Sequence, residues 1–243
     1  MQAWGLTDLG NVRQQNQDYY DISDLAGNRL LLTVCDGMGG AKSGNVASRL
    51  ATEVFVESMR TSYRVEMDVE QAEGVLRAAA ELANASVYEQ SQLNSDFSGM
   101  GTTLVAALLL PQLALIANIG DSRAYIFDRE GQRFMTVDHS LVEMMVQRGD
   151  ITREQAKNHP GKNLITRAVG TEQSVYCDIY RQPIKAGDYL LLCSDGLSNV
   201  MADQEILFEV VHGVRKDDCC QRLLEIAKGR GAPDNVTVVL ATV

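Results

Sequence analysis

The sequence predicts an α+β fold in which long helices cover antiparallel β-sheets. Three observations carry this. Unbroken apolar runs of strand length recur along the chain, and such runs suit strands buried on both faces. Between residues 102 and 127 three of them follow one another across short turns, which requires antiparallel pairing because a parallel neighbour needs a crossover of a dozen residues or more. Residues 44–62 and 68–92 carry long helical patterns.

The chain of 243 residues can form a full core, and its 45% hydrophobic and 22% charged residues are an ordinary globular balance. A formal net charge of -10 disfavours nucleic acid and anionic membrane surfaces as partners. The cysteines are Cys35, Cys177, Cys193, Cys219 and Cys220. Their odd number and lack of zinc-like spacing point to a reducing compartment, with Cys35 and Cys193 as small core residues. MQAWGLTDLGN has no signal-peptide character, and no apolar run approaches the roughly 18 residues of a membrane span. A cytoplasmic protein is expected.

Residues 3–10 and 18–36 are predicted as strands and turns, separated by the polar loop NVRQQNQD. The helix over 44–62 places Val46, Leu50, Val54 and Met59 on one side. The helix over 68–92 opens on Asp68, with Gln71 as capping-box partner, and has an Ala-rich middle. Strands are expected near 102–110, 113–119 and 122–127, the first turn being Pro111-Gln112. Short helices over 140–149 and 152–158 start at Ser140 and Thr152. Strands near 175–182 and 188–194, helices near 202–212 and 216–229, and a strand over 235–242 complete the chain. Without repeat or linker, residues 1–243 are taken as one domain.

Two stretches are nearly the same phrase. LLLTVCDGMGG (30–40) and YLLLCSDGLSN (189–199) are each an apolar run that stops at Asp-Gly, placing Asp36 and Asp195 at strand mouths. Asp121 follows ALIANIG, Asp234 precedes NVTVVL, and Asp8 also stands at a strand end. One such Asp is an ordinary turn-former. Four at the ends of the most apolar strands converge if those strands lie side by side. At about 4 Å and an effective dielectric near 20, each pair of carboxylates costs on the order of 4 kcal/mol, so their pKa values rise or cations neutralise them. Oxygen ligands without His or Cys select Mg²⁺ or Mn²⁺, and two such ions activate water and hold a phosphoryl group. Arg13, in the polar loop, offers the planar fork that a phosphate needs.

With these residues in place, TDLGNVRQQNQD, VCDGMGGAKSGNVAS, GMGTTLVAAL, ANIGDSRAYI, VDHSLVEMMVQRGDIT, HPGKNLITRAVGT, GDYLLLCSDGLSN and GAPDNVTVVL resemble, in order from residue 7 to 242, the motifs of the metal-dependent PPM/PP2C protein phosphatases, compact bacterial type. The resemblance implies a four-layer α/β/β/α sandwich, with two central antiparallel sheets flanked by helices. It implies hydrolysis of phosphoserine and phosphothreonine in proteins by a metal-activated water at a binuclear Mn²⁺ or Mg²⁺ centre, opposing a serine/threonine kinase, in a monomer. By motif, Asp36 would bridge two metals, with the Gly37 carbonyl on the second. Asp195 and Asp234 would complete the first, and Asp121 with Asp195 would hold a third, weaker one. Arg13 would bind phosphate; Asp18, Gln17 and Asn235 would stand behind the ligands. Residues 138–170 would include a mobile flap that carries substrate selectivity.

Some positions depart from the family pattern. Gln17 stands where Glu is frequent, which removes a charge near the second metal. Met38 stands where eukaryotic members have a His assigned as general acid; bacterial members share the Met. Ala41 and Asn45 replace a usual His and acid. A Walker motif fails because Lys42 is preceded by Ala41, with Asp36 where the earlier Gly belongs, and GMGTT opens a strand rather than a dinucleotide-binding helix. His139, His159 and His212 are too scattered for a metal cluster; His139 is expected as a cap or turn residue, and His159-Pro160 as a shaper of the flap. A module that binds phosphoproteins without hydrolysing them is the alternative, and retention of all four aspartates separates the two.

Overall fold

The apolar runs are strands, and alternation of their side chains decides what each face meets. In the computed structural model, which describes residues 1–39, 43–93, 95–213 and 215–243, one sheet contains β1 (Gln2–Asp8), β7 (Arg123–Asp128), β8 (Gly131–Met135), β10 (Tyr189–Cys193) and β11 (Val236–Thr242), in the order β1-β11-β10-β7-β8. The other contains β2 (Asp18–Leu25), β3 (Arg29–Met38), β5 (Leu104–Leu110), β6 (Leu113–Ile119) and β9 (Asp178–Pro183), in the order β2-β3-β5-β6-β9, and β4 (Gly101–Thr102) pairs with the end of β3. Every pairing is antiparallel.

The helices are α1 (Gly44–Ser62), α2 (Val69–Leu93), α3 (Leu141–Arg148), α4 (Arg153–Lys157), α5 (Asp195–Ser198), α6 (Asp203–His212) and α7 (Cys219–Gly229). Leu32 and Val34 of β3, Val105 and Ala107 of β5, Leu190 and Leu192 of β10 and Val239 of β11 meet between the sheets. Their neighbours face outward: Leu31 and Cys35 pack on α1 and α2, while Leu191 and Cys193 pack on α6 and α7. The layers are therefore helices, sheet, sheet, helices. Each fully buried Leu or Val contributes about 1.5–3 kcal/mol, which is why apolar residues occupy both faces of the inner strands. The five cysteines are buried thiols. No described helix is long and apolar enough to cross a membrane.

Several boundaries follow the sequence reading. Asp68 and Gln71 form the expected reciprocal cap, with Gln71 N–H donating to Asp68 Oδ1 at 2.8 Å and Asp68 N–H to Gln71 Oε1 at 3.0 Å. Ser140 and Thr152 cap α3 and α4. Other points differ. The buried stripe of α1 is Ala47, Ala51, Phe55 and Met59, with Val46, Leu50 and Val54 only half-buried beside it. Alanines on that stripe let α1 approach both β3 and α2, with which it packs. Among the elements absent from the sequence reading are β8 and α5. β8 is a mainly polar edge strand without an apolar signal, and α5 is a single turn that begins on Asp195. Gly40, Ala41 and Lys42 lie outside the described residues, and so does the expectation attached to Ala41.

Candidate metal centre

The two Asp-Gly stretches belong to different sheets, so the convergence arises across the sandwich rather than along one sheet. Asp36, Gly37 and Asp121 come from the β2-containing sheet and its turns, Asp195 and Asp234 from the ends of β10 and β11. Together with Arg13, Gln17, Met38 and Asn163 they line one cavity of about 430 Å³. Asp8 stays outside it: its carboxylate accepts from Gly10 N–H at 2.8 Å and pairs with Lys228 at 2.9 Å, the turn-forming role that a lone strand-end Asp commonly plays.

β3 does not stop at Asp36. It runs on to Met38 by exchanging its partner β5 for β4, so that Gly37 pairs with Thr102. Thr103 holds the junction: Asp36 N–H donates to Thr103 Oγ1 at 2.9 Å, and Thr103 N–H donates to Asp36 O at 2.9 Å. The Thr103 hydroxyl also bonds Ser122 at 2.7 Å, tying the Asp36 and Asp121 turns together. Gly37 is obligatory here, because a Cβ would lie 2.7 Å from Gln17 O and closer still to Gly44 O.

Asp18 stands directly opposite Asp36 in the β2–β3 register and is buried. Its Oδ2 accepts from Ser194 Oγ and Thr237 Oγ1, both at 2.7 Å, so a residue of one sheet is gripped by two hydroxyls of the other. Its Oδ1 is buried and has no hydrogen-bond partner. Asn235, beside Asp234, bonds the loop that precedes β2. Its Nδ2 donates to Leu9 O and Gln15 O at 2.9 and 3.1 Å, and its Oδ1 accepts from Gln17 N–H at 2.8 Å. Asn235 thus fastens the loop that carries Arg13 and Gln17. Gly196 allows a close approach to this residue, since a Cβ there would collide with the Asn235 carbonyl.

The electrostatics are those of crowded carboxylates. Burial, then the Asp18 charge and those of Asp195, Asp121 and Asp234, push Asp36 well above the usual carboxylate range. Burial, then Asp234, raises Asp195, opposed by hydrogen bonds from Asp36 and Asn199. Burial pushes Asp18 up to about 7 against its two hydroxyl bonds, and pushes Asp121 up to about 7 with the help of Asp195. Arg13 Nη2 donates to Asp234 Oδ2 at 2.6 Å, and that bond raises the guanidinium pKa further.

This donor set fits hard divalent cations. It consists of oxygens, it is more acidic than its surroundings can neutralise, and it includes an orphaned buried oxygen on Asp18. Among the described residues no three Asp, Glu, His or Cys side chains are grouped closely enough to hold a metal ion by themselves. Ser194, Thr237 and Thr103 were not singled out by sequence. GMGTT carried the only signal for Thr103, and a hydroxyl beside an Asp in sequence says nothing about an Asp 176 positions away.

The chain that builds this two-sheet sandwich and acidic cavity matches the family model for protein phosphatase 2C over residues 11–227. The chain belongs to the protein phosphatase 2C family and is a protein serine/threonine phosphatase. It is 36% identical over 241 residues to the serine/threonine phosphatase stp of Listeria monocytogenes, covering 99% of this chain and 95% of that one. It is 34% identical over 238 residues to the protein phosphatase PhpP of Streptococcus pneumoniae, covering 98% and 95%. Its fold superposes on the serine/threonine phosphatase Stp1 from Staphylococcus aureus with a TM-score of 0.91 at 38% identity, covering 99% and 94%. On the catalytic domain of PstP in complex with two manganese ions the TM-score is 0.84 at 34% identity, covering 99% and 97%.

Proposed function

We propose that this chain hydrolyses phosphoserine and phosphothreonine in proteins at a centre of two divalent cations, Mn²⁺ or Mg²⁺, with a third held more weakly. The observation that carries the reading is the convergence of Asp36, Asp121, Asp195, Asp234 and Arg13 on one cavity from both sheets. Asp36, the Gly37 carbonyl, Asp195 and Asp234 would hold the first two cations, and Asp121 with Asp195 would hold the third. When bound, the cations supply an activated water and neutralise charge on the phosphoryl oxygens. Arg13 binds and orients the phosphate, its bond to Asp234 giving way to phosphoryl oxygens. Asp18 holds outer water at the unpartnered Oδ1. Gln17 lines the cavity as a neutral donor and acceptor. Met38 lines it too and carries no titratable proton, so it cannot protonate the leaving alkoxide.

The segment 138–170 acts as a flap within a single domain spanning 1–243. Asn163 and Ile165 already reach the cavity. The protein works as a cytoplasmic monomer opposing a serine/threonine kinase. Retention of all four aspartates supports turnover over a module that only binds phosphoproteins. The deciding experiment is hydrolysis of a phosphothreonine peptide by chelator-treated protein with and without added Mn²⁺. Turnover only with the metal is expected; a folded protein that shows none would reject the proposal.

A further inference from the structure

His139 is neither a cap nor a turn-former. It is 8% exposed, and Ser140 caps the helix that follows. It grips Gly120 twice: His139 N–H donates to Gly120 O at 2.9 Å, and Gly120 N–H donates to His139 Nδ1 at 3.0 Å. Since Nδ1 accepts, the neutral ring carries its proton on Nε2, where Asp178 Oδ2 lies at 2.8 Å. Arg167 fixes that carboxylate through Oδ1 at 3.2 Å.

Gly120 immediately precedes Asp121 and has φ of +107°, in the region where glycine is at home. A Cβ there would lie 2.6 Å from Thr103 Cγ2. A glycine peptide has few constraints of its own, so the two bonds from His139 set the direction in which the chain delivers Asp121. The neighbouring Asp138 accepts from Arg123 Nε and Nη2 at 2.8 and 2.7 Å, holding the other flank of the same turn. Thr166 N–H donates to His139 O at 2.8 Å, so the far end of the 138–170 segment closes on the same residue.

We infer that His139 is the positioning residue of Asp121: its Nδ1 holds the Gly120 peptide in the orientation that presents the Asp121 carboxylate to a divalent cation. This rests on the reading of Asp121 as a metal ligand. A histidine kept only for packing would need burial and one partner, not an acceptor and a main-chain donor on the same glycine.

The test is Mn²⁺ binding to chelator-treated full-length protein, followed by the electron paramagnetic resonance signal of free ion, without substrate. His139→Asn retains an acceptor near the Nδ1 position. His139→Gln retains a donor toward Asp178 and loses that acceptor. The Gln variant is expected to weaken the weakest class of Mn²⁺ sites by about tenfold or more, with the Asn variant within about threefold of wild type and the tighter classes unmoved. In an Asp121→Ala background, His139→Gln should change nothing further. The inference is overturned if both variants weaken binding equally, if all classes shift together, or if His139→Gln adds to Asp121→Ala. A wild-type protein that binds no Mn²⁺ would instead overturn the metal-centre reading beneath it.

Discussion

Asp18 and Asp36 face each other across the β2–β3 pair, two carboxylates at the position where like charges are least tolerated in a sheet. Their register belongs to a ladder that runs without a break from Asp18↔Asp36 to Leu25↔Arg29, so neither can turn away without disrupting the pairing. The protein holds this repulsion as part of its site.

Burial of the Asp18 and Asp121 carboxyls, reinforced by neighbouring charges such as Asp195, makes stability depend on pH. Asp18 and Asp121 are pushed up to about 7 in the folded state, against 3.8 as ordinary carboxyls. Between those values the folded protein binds more protons than the unfolded chain, so stability falls as pH rises through the window and levels off above it. Glu205, drawn down to about 2 by Arg230, works in the opposite sense, but only below the ordinary Glu value. From about pH 5 to about pH 7.5 the metal-free protein should therefore lose several degrees in its melting temperature. Mn²⁺ should raise the midpoint more at the upper pH. Calorimetry at both values checks this, and a midpoint that rises with pH would contradict it.

Asp36→Asn and Asp195→Asn each remove one charge from the cluster. Phosphatase activity should fall by at least about a thousandfold in either variant, since each carboxylate is assigned to the centre that activates water. The same variants should melt at or above the wild-type temperature without metal near pH 8, because repulsion is relieved. Paired activity and melting measurements separate loss of site from loss of fold.

Arg13 is half-exposed and its bond to Asp234 is at the surface, so Arg13→Ala should shift the melting temperature little. Its effect should appear on a phosphothreonine peptide as a KM raised about tenfold, from the loss of a charge-assisted bond to phosphate. Steady-state kinetics decide, and an unchanged KM would show that phosphate is held elsewhere.

Gln17→Glu restores a negative charge to the cavity wall. The Mn²⁺ concentration for half-maximal activity should fall at least about threefold, because an added carboxylate attracts a divalent cation even at an effective dielectric near 20. A metal titration of both proteins measures it; no change would place position 17 outside the reach of the cations.

Much of this was visible in one dimension. Continuous apolar runs in β3, β5, β6 and β10 mean strands buried on both faces, and a strand buried on both faces needs a layer on each side, so the α+β sandwich follows from local pattern. The strand-end aspartates were equally legible, because a carboxylate at the mouth of a buried strand is conspicuous wherever the chain goes. Only the tertiary structure decided which partners those residues meet. Asp36 and Asp195, alike in sequence, come from opposite sheets, and Asp18 is braced by Ser194 and Thr237 from across the sandwich. Asn235 fastens a loop more than two hundred positions earlier, and His139 grips Gly120 rather than its own helix. Periodicity and end signals are local properties of the chain and survive in its sequence. Hydrogen bonds between distant turns depend on how two sheets stack, and a single sequence holds no record of that stacking.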